Sequence, residues 1–294
     1  MTARIINGKE IATKIKQNIA KEVEKLKKKY KITPTLAVIL VGKDPASEVY
    51  VGNKEKAAHL VGMNSIQFKM AADISEVELI AKIDELNKDN KIHGVLVQLP
   101  LPKHIDTKKV IKTINNKKDV DGFNVINVGK LATGQLNGDE AGMVPCTPLG
   151  CVELLKSEAG KDLAGLKVLV IGNSNIVGRP LAQLLMYEKA TVTIANSSTK
   201  DLKAECLSAD VIISAAGVVN LVKADMVTEK SIIIDVGINR IMLENGKSRL
   251  VGDVDFENVK DIAKAITPVP GGVGPMTITY LLKNTLNCYL KIIK

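Results

Sequence analysis

The stretch Lys167-Val168-Leu169-Val170-Ile171-Gly172-Asn173-Ser174-Asn175-Ile176-Val177-Gly178 decides the fold. Its first five residues form an apolar, β-branched run typical of a buried strand, and a helical pattern follows as far as Tyr187. Glycines between such a strand and helix let the backbone approach a pyrophosphate at the helix N-terminus. The spacing departs from Gly-x-Gly-x-x-Gly, because Ser174 replaces the second glycine and Gly178 comes one residue late. An ordinary strand-to-helix turn is the alternative interpretation.

The second half of the chain continues the alternation of strand and helix. β-branched runs at Thr191–Ala195, Val211–Ser214 and Ser231–Val236 follow the helix that ends at Tyr187. Strands separated by crossover helices pair in parallel, because each helix returns the chain to the same end of the sheet. We therefore predict a doubly wound, Rossmann-type dinucleotide-binding domain in this half.

The first half has the same α/β pattern. From Lys9 to Tyr30, apolar residues recur every three or four positions, as in an amphipathic helix, and Pro34 follows its end. Short β-branched runs then alternate with helical patterns, which predicts a second parallel sheet. The predicted strands are Leu36–Val41 and Gly94–Val97, and the predicted helices are Ala46–Val61 and Glu76–Asn87.

A linker rich in Gly, Asn and Pro from Gly129 to Pro148 places the domain boundary near Pro145. Residues 1–145 are then expected to form an N-terminal α/β catalytic domain, and residues 146–275 the dinucleotide-binding domain. The final apolar helical pattern, residues 276–294, has no further strand to serve. We predict that this helix packs back on the first domain.

Composition excludes several classes of protein. Of 294 residues, 46% are apolar and 25% charged, which is typical of a globular chain rather than a disordered one. The net charge of +9 would suit nucleic acid, an anionic surface or an acidic small molecule, but aromatic residues are only 3% and Trp is absent, so stacking platforms for bases are disfavoured. Much of the excess is Lys on predicted helix faces, where solvated surface is the simpler explanation.

Cysteine and histidine usage argues against a metal site. Four cysteines without a Cys-x-x-Cys pair and three histidines predict neither a zinc site nor a disulfide framework. The chain opens without an apolar leader, and no stretch approaches 18 uncharged apolar residues. A reduced, cytoplasmic protein with no membrane contact is expected.

One predicted helix carries candidate catalytic residues. Ser47, Tyr50 and Lys54 follow at spacings of three and four, so they share one helix face. A lysine can relay protons near neutral pH when burial or positive neighbours lower its pKa, and a tyrosine offers a ring for stacking and a hydroxyl donor. Lys56 is expected to point elsewhere. A surface lysine beside a half-buried tyrosine is the alternative.

Two further motifs follow in the first half. Gln98 ends the strand Gly94–Val97, at the carboxyl edge where open α/β sheets place ligands. An amide there can hold a neighbouring lysine. Asp119 and Asp121 then provide two carboxylates in a tight turn, although aspartates also form turns without any function.

The end of the strand Thr191–Ala195 bears on the choice of dinucleotide. An acidic residue there would bind the ribose of NAD, and a basic one the 2′-phosphate of NADP. The residues Ala195-Asn196-Ser197-Ser198-Thr199 contain neither. Their hydroxyl and amide groups can bind either ribose or phosphate, so both cofactors remain open.

Four motifs in this order resemble the bifunctional methylenetetrahydrofolate dehydrogenase/cyclohydrolase family over essentially the whole chain. The matching segments are Asp44–Lys54, Gly94–Pro102, Lys118–Phe123 and Pro268–Thr277. The resemblance implies two reactions: oxidation of 5,10-methylenetetrahydrofolate by hydride transfer to a nicotinamide cofactor, and hydrolysis of the methenyl product to 10-formyltetrahydrofolate. It also implies a homodimer.

The resemblance assigns expected roles in the folate site. Lys54 matches the family's catalytic lysine, Gln98 would hold its ammonium group, and Tyr50 matches the tyrosine that stacks on the folate. Asp121 matches the carboxylate that hydrogen-bonds the pterin, and Ser47 would border the site. The loop expected to line the same pocket consists of Pro270, Gly271, Gly272 and Val273.

In the cofactor half the chain departs from the family pattern. The family usually has Gly-Arg-Ser where this chain has Gly172-Asn173-Ser174, and Cys-His-Ser followed by a basic residue where it has Ala195–Ser198. Two partners of a 2′-phosphate are thus missing. NADP is expected from the family's habit, with NAD as the alternative. The expected cofactor-binding residues are Gly172, Asn173, Ser174, Ser197 and Ile238.

Two other functions are alternatives to the bifunctional folate enzyme. The altered cofactor turn suggests a chain with only one of the two activities. The charge of +9 suggests a non-catalytic nucleotide- or nucleic-acid-binding protein. The basic charge also suits the bifunctional enzyme, because folates carry carboxylates and the cofactor carries phosphates.

Overall fold

The structure is a computed structural model that describes residues 2–242, 246 and 248–293. The chain divides into two units, each named here by its main sheet. The six-stranded unit holds the chain through Ala12 and Thr147–Thr277, and the three-stranded unit holds Thr13–Cys146 and the chain from Ile278 onward.

In chain order the strands are β1 (Arg4–Ile5), β2 (Thr35–Val41), β3 (Asn64–Met70), β4 (Gly94–Val97), β5 (Lys167–Ile171), β6 (Thr191–Ala195), β7 (Val211–Ser214), β8 (Ile232–Asp235), β9 (Asn239–Met242), β10 (Ser248–Val251) and β11 (Ala265–Ile266). The helices are α1 (Gly8–Tyr30), α2 (Pro45–Leu60), α3 (Glu76–Lys88), α4 (Thr107–Thr113), α5 (Val125–Ala132), α6 (Cys146–Ala159), α7 (Gly178–Tyr187), α8 (Leu202–Ser208), α9 (Phe256–Val259) and α10 (Val273–Ile293). A 3-10 turn covers Ala224–Met226.

The six-stranded unit is a doubly wound parallel sheet, as predicted. Its strand order is β1-β11-β8-β7-β5-β6, and every pair is parallel. The chain leaves β5 toward β6 on one side and returns to β7 on the other, which makes the carboxyl ends of β5 and β7 the switch point where such sheets bind ligands. Leu169, Ile212 and Ile233 on its central strands belong to the buried core.

The N-terminus corrects the predicted domain limits. Residues 1–12 are expected from the sequence in the first domain, but the chain through Ala12 belongs to the six-stranded unit. The physical reason is that the β1 residues Arg4 and Ile5 pair with Ala265 and Ile266 of β11, which satisfies their backbone groups at the sheet edge.

The three-stranded unit holds a smaller parallel sheet of order β3-β2-β4. All seven residues of β2 are buried, as expected for a central parallel strand. The strand β3 is not among the predicted ones. A second cluster joins α1 to the later part of α10, through Ile19, Val23, Leu282 and Tyr289. The C-terminal helix thus packs within the unit where the sequence expects it.

Two boundaries differ from the sequence expectation. α10 begins at Val273 rather than Met276, because Pro275 lies in the first helical turn, where a missing N–H is harmless. The expected linker from Gly129 to Pro148 begins inside α5 and ends inside α6. None of the helices in the described ranges is both long and apolar enough to cross a membrane.

Candidate active site

Helix α2 brings Ser47, Tyr50 and Lys54 to one face. The carboxylate of Asp44 caps the helix by accepting a hydrogen bond from the Ser47 N–H at 2.8 Å, and Pro45 occupies the first turn. Ser47 and Lys54 are buried and Tyr50 is partly buried. Burial raises the pKa of the Tyr50 phenol, so it stays a neutral donor.

The ammonium group of Lys54 is held by Gln98. Lys54 Nζ donates to Gln98 Oε1 at 2.9 Å. The orientation of the Gln98 amide is set on its other side, because Nε2 donates to the carbonyl of Leu99 at 2.7 Å. The Gln98 main-chain N–H extends the sheet by donating to Ile39 O at 2.9 Å. Only 8% of Lys54 is exposed, so it is a buried residue held in place rather than a surface lysine.

Asp119 is a buried scaffold for the turn between α4 and α5. Its carboxylate accepts hydrogen bonds from the Gly122 N–H at 3.1 Å, the Asn124 N–H at 2.8 Å and Asn127 Nδ2 at 2.9 Å. Gly122 adopts a φ of +71°, and a Cβ there would lie 2.7 Å from the Met143 carbonyl. Asp119 therefore supports the turn and leaves Asp121 as the available carboxylate.

Asp121 lies in the electrostatic field of Lys54. Burial raises the pKa of its carboxyl to about 6, while the Lys54 charge opposes this rise and the Asp119 charge adds to it. The three-stranded unit thus brings Lys54, Gln98 and Asp121 together, with Tyr50 and Ser47 on the same helix face as the lysine. A cation beside a titrating carboxyl group suits proton transfer and recognition of a polar heterocycle.

The sequence alone did not reveal the support that α10 provides to this turn. Asn284 Nδ2 donates to Val120 O at 2.8 Å and to Val144 O at 2.9 Å. Cys146 Sγ also donates to Val120 O, at 3.3 Å. Burial raises the pKa of the Cys146 thiol well above its usual value, so it is not a nucleophile. A buried Asn inside an apolar helix was the only available signal.

The turn after β5 in the six-stranded unit is built on two close backbone approaches. Gly172 has a φ of +111°, and a Cβ there would lie 2.3 Å from Ala215 O. A Cβ on Gly178 would lie 1.9 Å from Gly172 O. The backbone therefore occupies the space that side chains would fill, and no side chain caps α7 at Val177. An uncapped helix N-terminus beside a glycine turn fits a pyrophosphate.

Asn173 and Ser174 are exposed on this turn. Ser174 Oγ accepts from the Val177 N–H at 3.2 Å. After β6, the turn is closed by Asn196 Oδ1, which accepts from the Ser198 N–H at 2.9 Å. Ser197 is exposed beside it. The Asn196 amide oxygen is thus committed to the turn, which leaves the serine hydroxyls as the groups open to a ligand.

The remaining expected residues also lie in the six-stranded unit. Ile238 is 47% exposed just after β8. The loop before α10 contains Pro270, which is exposed, and Gly271, whose φ of +116° favours glycine. A Cβ on Gly272 would lie 2.7 Å from Thr267 Cβ. Val273 is buried as the first residue of α10, which corrects its expected place in a loop.

Within the described parts of the chain, no group of three or more His, Cys, Asp or Glu side chains could hold a metal ion.

Two family models match the chain. The catalytic domain of the tetrahydrofolate dehydrogenase/cyclohydrolase family matches residues 6–121, and the NAD(P)-binding domain of the same family matches residues 145–292. The chain belongs to this family. The sequence-based identification is therefore confirmed, and with it the two-domain α/β fold and an enzyme that combines dehydrogenase and cyclohydrolase activities in tetrahydrofolate metabolism.

Relatives of this family match along nearly the whole chain. The bifunctional protein FolD of Rhodospirillum rubrum is 53% identical over 288 residues, which cover 97% of this chain and 97% of that protein. The crystal structure of FolD from Campylobacter jejuni superposes with a TM-score of 0.92 at 49% identity, covering 98% of this chain and 99% of the other. FolD of Trypanosoma brucei, complexed with NADP and an inhibitor, also has a TM-score of 0.92, at 37% identity and 99% and 98% coverage.

Proposed function

We propose that this chain oxidises 5,10-methylenetetrahydrofolate by hydride transfer to NADP, and that Lys54 then serves the hydrolysis of the methenyl product to 10-formyltetrahydrofolate. The observation that carries the proposal is the buried Lys54 ammonium held by Gln98 Oε1 at 2.9 Å. A general acid or base needs both a fixed position and limited access to bulk water, and this lysine has both.

In the hydrolysis, Lys54 acts as a proton relay. In its amine form it takes a proton from the water that attacks the methenyl carbon. It returns this proton to the ring nitrogen that leaves when the carbon–nitrogen bond breaks, while the hydroxyl proton of the intermediate goes to solvent. One proton is released per turnover, which balances the reaction of a cation with water. Gln98 keeps Nζ in one place through both transfers.

Substrate recognition is assigned to the neighbours of Lys54. Tyr50 would stack its ring on the folate, Asp121 would accept hydrogen bonds from the pterin, and Ser47 would border the site. The Asp121 carboxylate suits the task, because an ionised acceptor binds N–H donors more strongly than a neutral one. Pro270, Gly271 and Gly272 of the loop before α10, with Val273 at the start of that helix, are proposed to contact the same substrate.

Oxidation needs less from the protein. The lone pair of the substrate's ring nitrogen drives hydride departure, so positioning is the main requirement. The bound dinucleotide supplies the hydride acceptor. Gly172, Asn173 and Ser174 at the start of α7 would hold its pyrophosphate, Ser197 would bind its ribose, and the Ile238 backbone would contact the cofactor as well.

NADP is proposed rather than NAD. An NAD site would use a carboxylate at the end of β6 to bind the ribose hydroxyls, and that carboxylate would repel a 2′-phosphate. The residues Ala195–Thr199 at this position include no carboxylate. The exposed hydroxyl groups of Ser197 and Ser198 can donate to phosphate oxygens. The relative from Trypanosoma brucei, which is complexed with NADP, supports the same choice.

A homodimer in the cytoplasm is the proposed working form. The four cysteines are free and buried, which fits a reducing compartment. Sedimentation of the purified protein would test the oligomeric state.

The proposed function is tested by assaying the two reactions separately on the purified protein. Methylenetetrahydrofolate is supplied with NADP or with NAD and the reduced nicotinamide is followed. Methenyltetrahydrofolate is supplied alone, and its loss is followed after subtraction of the uncatalysed rate. We expect both activities, with the higher kcat/KM for NADP. Absence of either activity contradicts the bifunctional assignment, and a preference for NAD contradicts the cofactor assignment.

A further inference from the structure

Two buried carboxylates in the six-stranded unit lie outside the sites described so far. Asp253 is completely buried and Asp235 is 3% exposed. Asp253 Oδ2 accepts three hydrogen bonds: from Ser214 Oγ at 3.2 Å, from the Ala216 N–H at 2.8 Å and from the Gly217 N–H at 3.0 Å. One oxygen atom thus holds the end of β7 and the loop that follows it.

The other oxygen and its neighbour Asp235 hold the next loop. Asp253 Oδ1 accepts from Asn239 Nδ2 at 3.1 Å. Asp235 Oδ1 accepts from the Gly237 N–H at 2.9 Å and from the Asp253 N–H at 3.0 Å. Asp235 Oδ2 accepts from the Val254 N–H at 3.0 Å. The two carboxylates therefore hold the Gly237 N–H and the Asn239 side chain, which lie on either side of Ile238.

Two glycines make room for these carboxylates. A Cβ on Gly237 would lie 2.1 Å from Asp253 Oδ1, and a Cβ on Gly252 would lie 1.8 Å from Asp235 Oδ2. Each aspartate thus sits directly against the backbone of the other's segment. Burying two acidic groups this closely is costly without full hydrogen bonding, so the arrangement holds only while the loops donate to it.

The loop held by Asp253 borders the switch point of the sheet. β7 is the direct neighbour of β5, and Ala215 O is the atom that a Cβ on Gly172 would strike at 2.3 Å. Residues 215–217 therefore form one wall of the ligand crevice, and the glycine turn after β5 forms the other. Since Asp253 accepts hydrogen bonds from the Ala216 and Gly217 N–H groups, it determines the position of residues 215–217.

We propose that Asp253, supported by Asp235, is the positioning residue of the dinucleotide site: it shapes the wall formed by residues 215–217 and the approach to Ile238 without touching the cofactor. This inference rests on the proposed function for the location of the dinucleotide. It assigns Asp253 to hydride transfer only, because the groups proposed for hydrolysis lie on the three-stranded unit.

The test is Asp253→Asn in the full chain. One atom of the new amide becomes a donor, so either the donors of residues 214–217 or Asn239 Nδ2 lose their acceptor. We expect the KM and the directly titrated Kd for NADP to rise about tenfold or more, whereas methenyl hydrolysis stays within about twofold. Asp225→Asn is the matched control, since Asp225 is an exposed aspartate paired with Lys203 in the same unit.

A second variant asks whether the hydrogen bonds themselves matter. Adding Asn239→Asp to Asp253→Asn restores an acceptor opposite the new amide, so the oxygen of residue 253 can face residues 214–217 again. We expect this pair to recover much of the NADP affinity. Ser214→Ala removes one of the three donors, and we expect about a threefold rise in KM. This milder change decides the matter if Asp253→Asn does not fold.

The outcomes separate the inference from the proposed function. A parallel fall of both activities in Asp253→Asn, at a temperature where it is folded, would show a purely structural role and overturn the inference. Unchanged NADP affinity in Asp253→Asn, or in Ser214→Ala where the first variant does not fold, would overturn it too. Titration with NADP needs no turnover, so it reports on Asp253 even if the wild-type chain lacked one of the two activities.

Discussion

Lys54 and Gln98 form a fixed pair: Lys54 Nζ donates to Gln98 Oε1 at 2.9 Å, and Gln98 Nε2 is anchored on Leu99 O at 2.7 Å. The carbonyl of Leu99 determines which end of the amide faces the lysine. This relationship converts a flexible side chain into a group with one position, which is what a proton relay requires.

Replacing Gln98 is expected to impair hydrolysis through the position of Lys54. In Gln98→Ala the lysine loses its acceptor, and we expect kcat for methenyl hydrolysis to fall about tenfold or more. The matched control is Gln67→Ala on β3 of the same sheet, where the amide donates to Glu55 at 2.7 Å. Steady-state rates of hydrolysis check this. Equal effects of the two variants would count against a role for Gln98.

Asp121 is expected to make the rate of methenyl hydrolysis fall at acid pH, as an acid limb of the pH profile. Because burial raises the pKa of its carboxyl to about 6, the acceptor form is present above that pH and is lost as pH falls through it. We therefore expect kcat/KM for methenyltetrahydrofolate to decline below about pH 6. In Asp121→Asn this limb should be absent, and kcat/KM should be about tenfold lower at pH 7.5.

The pH profile is best measured on hydrolysis without dinucleotide. Burial also raises the pKa of Asp235 in the six-stranded unit to about 6, and that group would contribute to the dehydrogenase profile. An acid limb that persists unchanged in Asp121→Asn would assign the titration to another group.

Asn173 is expected to influence the choice of dinucleotide. It is exposed on the turn after β5, so a longer side chain there meets no steric barrier from the core. In Asn173→Arg a guanidinium can pair with a 2′-phosphate, and we expect the ratio of kcat/KM for NADP over NAD to rise about tenfold. The gain should shrink at high salt, because the pairing is exposed. An unchanged ratio would place the 2′-phosphate elsewhere.

His93 is expected to make stability depend on pH. It is 1% exposed, Nδ1 accepts from the Thr35 N–H at 3.1 Å, and its ring meets Tyr289 edge-on with centroids 4.9 Å apart. Burial, with help from the Lys118 charge, lowers the pKa of the imidazole to about 4. The native state therefore keeps His93 neutral while the unfolded state gains a proton below about pH 6.5.

Because the pKa of His93 is lowered in the native state, its contribution to the free energy of unfolding is fully present above about pH 6.5. This contribution is lost as the pH falls toward about 4. Between pH 7 and 5 the loss is about 2 kcal/mol in the free energy of unfolding. His93→Asn keeps an acceptor for Thr35 but does not titrate. It should be less stable at pH 7 and should have a shallower decline toward pH 5 in denaturant titrations. Parallel declines would rule out His93 as the cause.

Much of the fold was predictable because parallel strands that are buried on both faces are continuous apolar runs in the sequence. β2 and β5 are continuous apolar runs, and their burial follows directly from that pattern. β3 was missed because Asn64–Met70 mixes polar and apolar residues and is only partly buried as an outer strand. β1 could not be predicted from two residues, since its partner Ala265–Ile266 lies about the length of the chain away.

The residues of the candidate site were likewise only partly predictable from the sequence. Spacing placed Ser47, Tyr50 and Lys54 on one helix face, but it could not say whether that face is buried. The scaffold carboxylates Asp119 and Asp253 act through backbone donors that come from the fold. The available signals were Gly122, three residues after Asp119, and Gly252, directly before Asp253, because both glycines stand where a Cβ would clash with a neighbouring group.

The most direct test of the proposed function compares Lys54→Met with Lys56→Met. The two lysines lie two positions apart on α2, but Lys54 is buried and Lys56 is exposed. We predict that Lys54→Met loses methenyl hydrolysis by about a hundredfold or more, while hydride transfer from methylenetetrahydrofolate falls much less. Lys56→Met should retain both activities. A Lys54→Met protein that hydrolyses the methenyl compound at the full wild-type rate would contradict the assignment of Lys54.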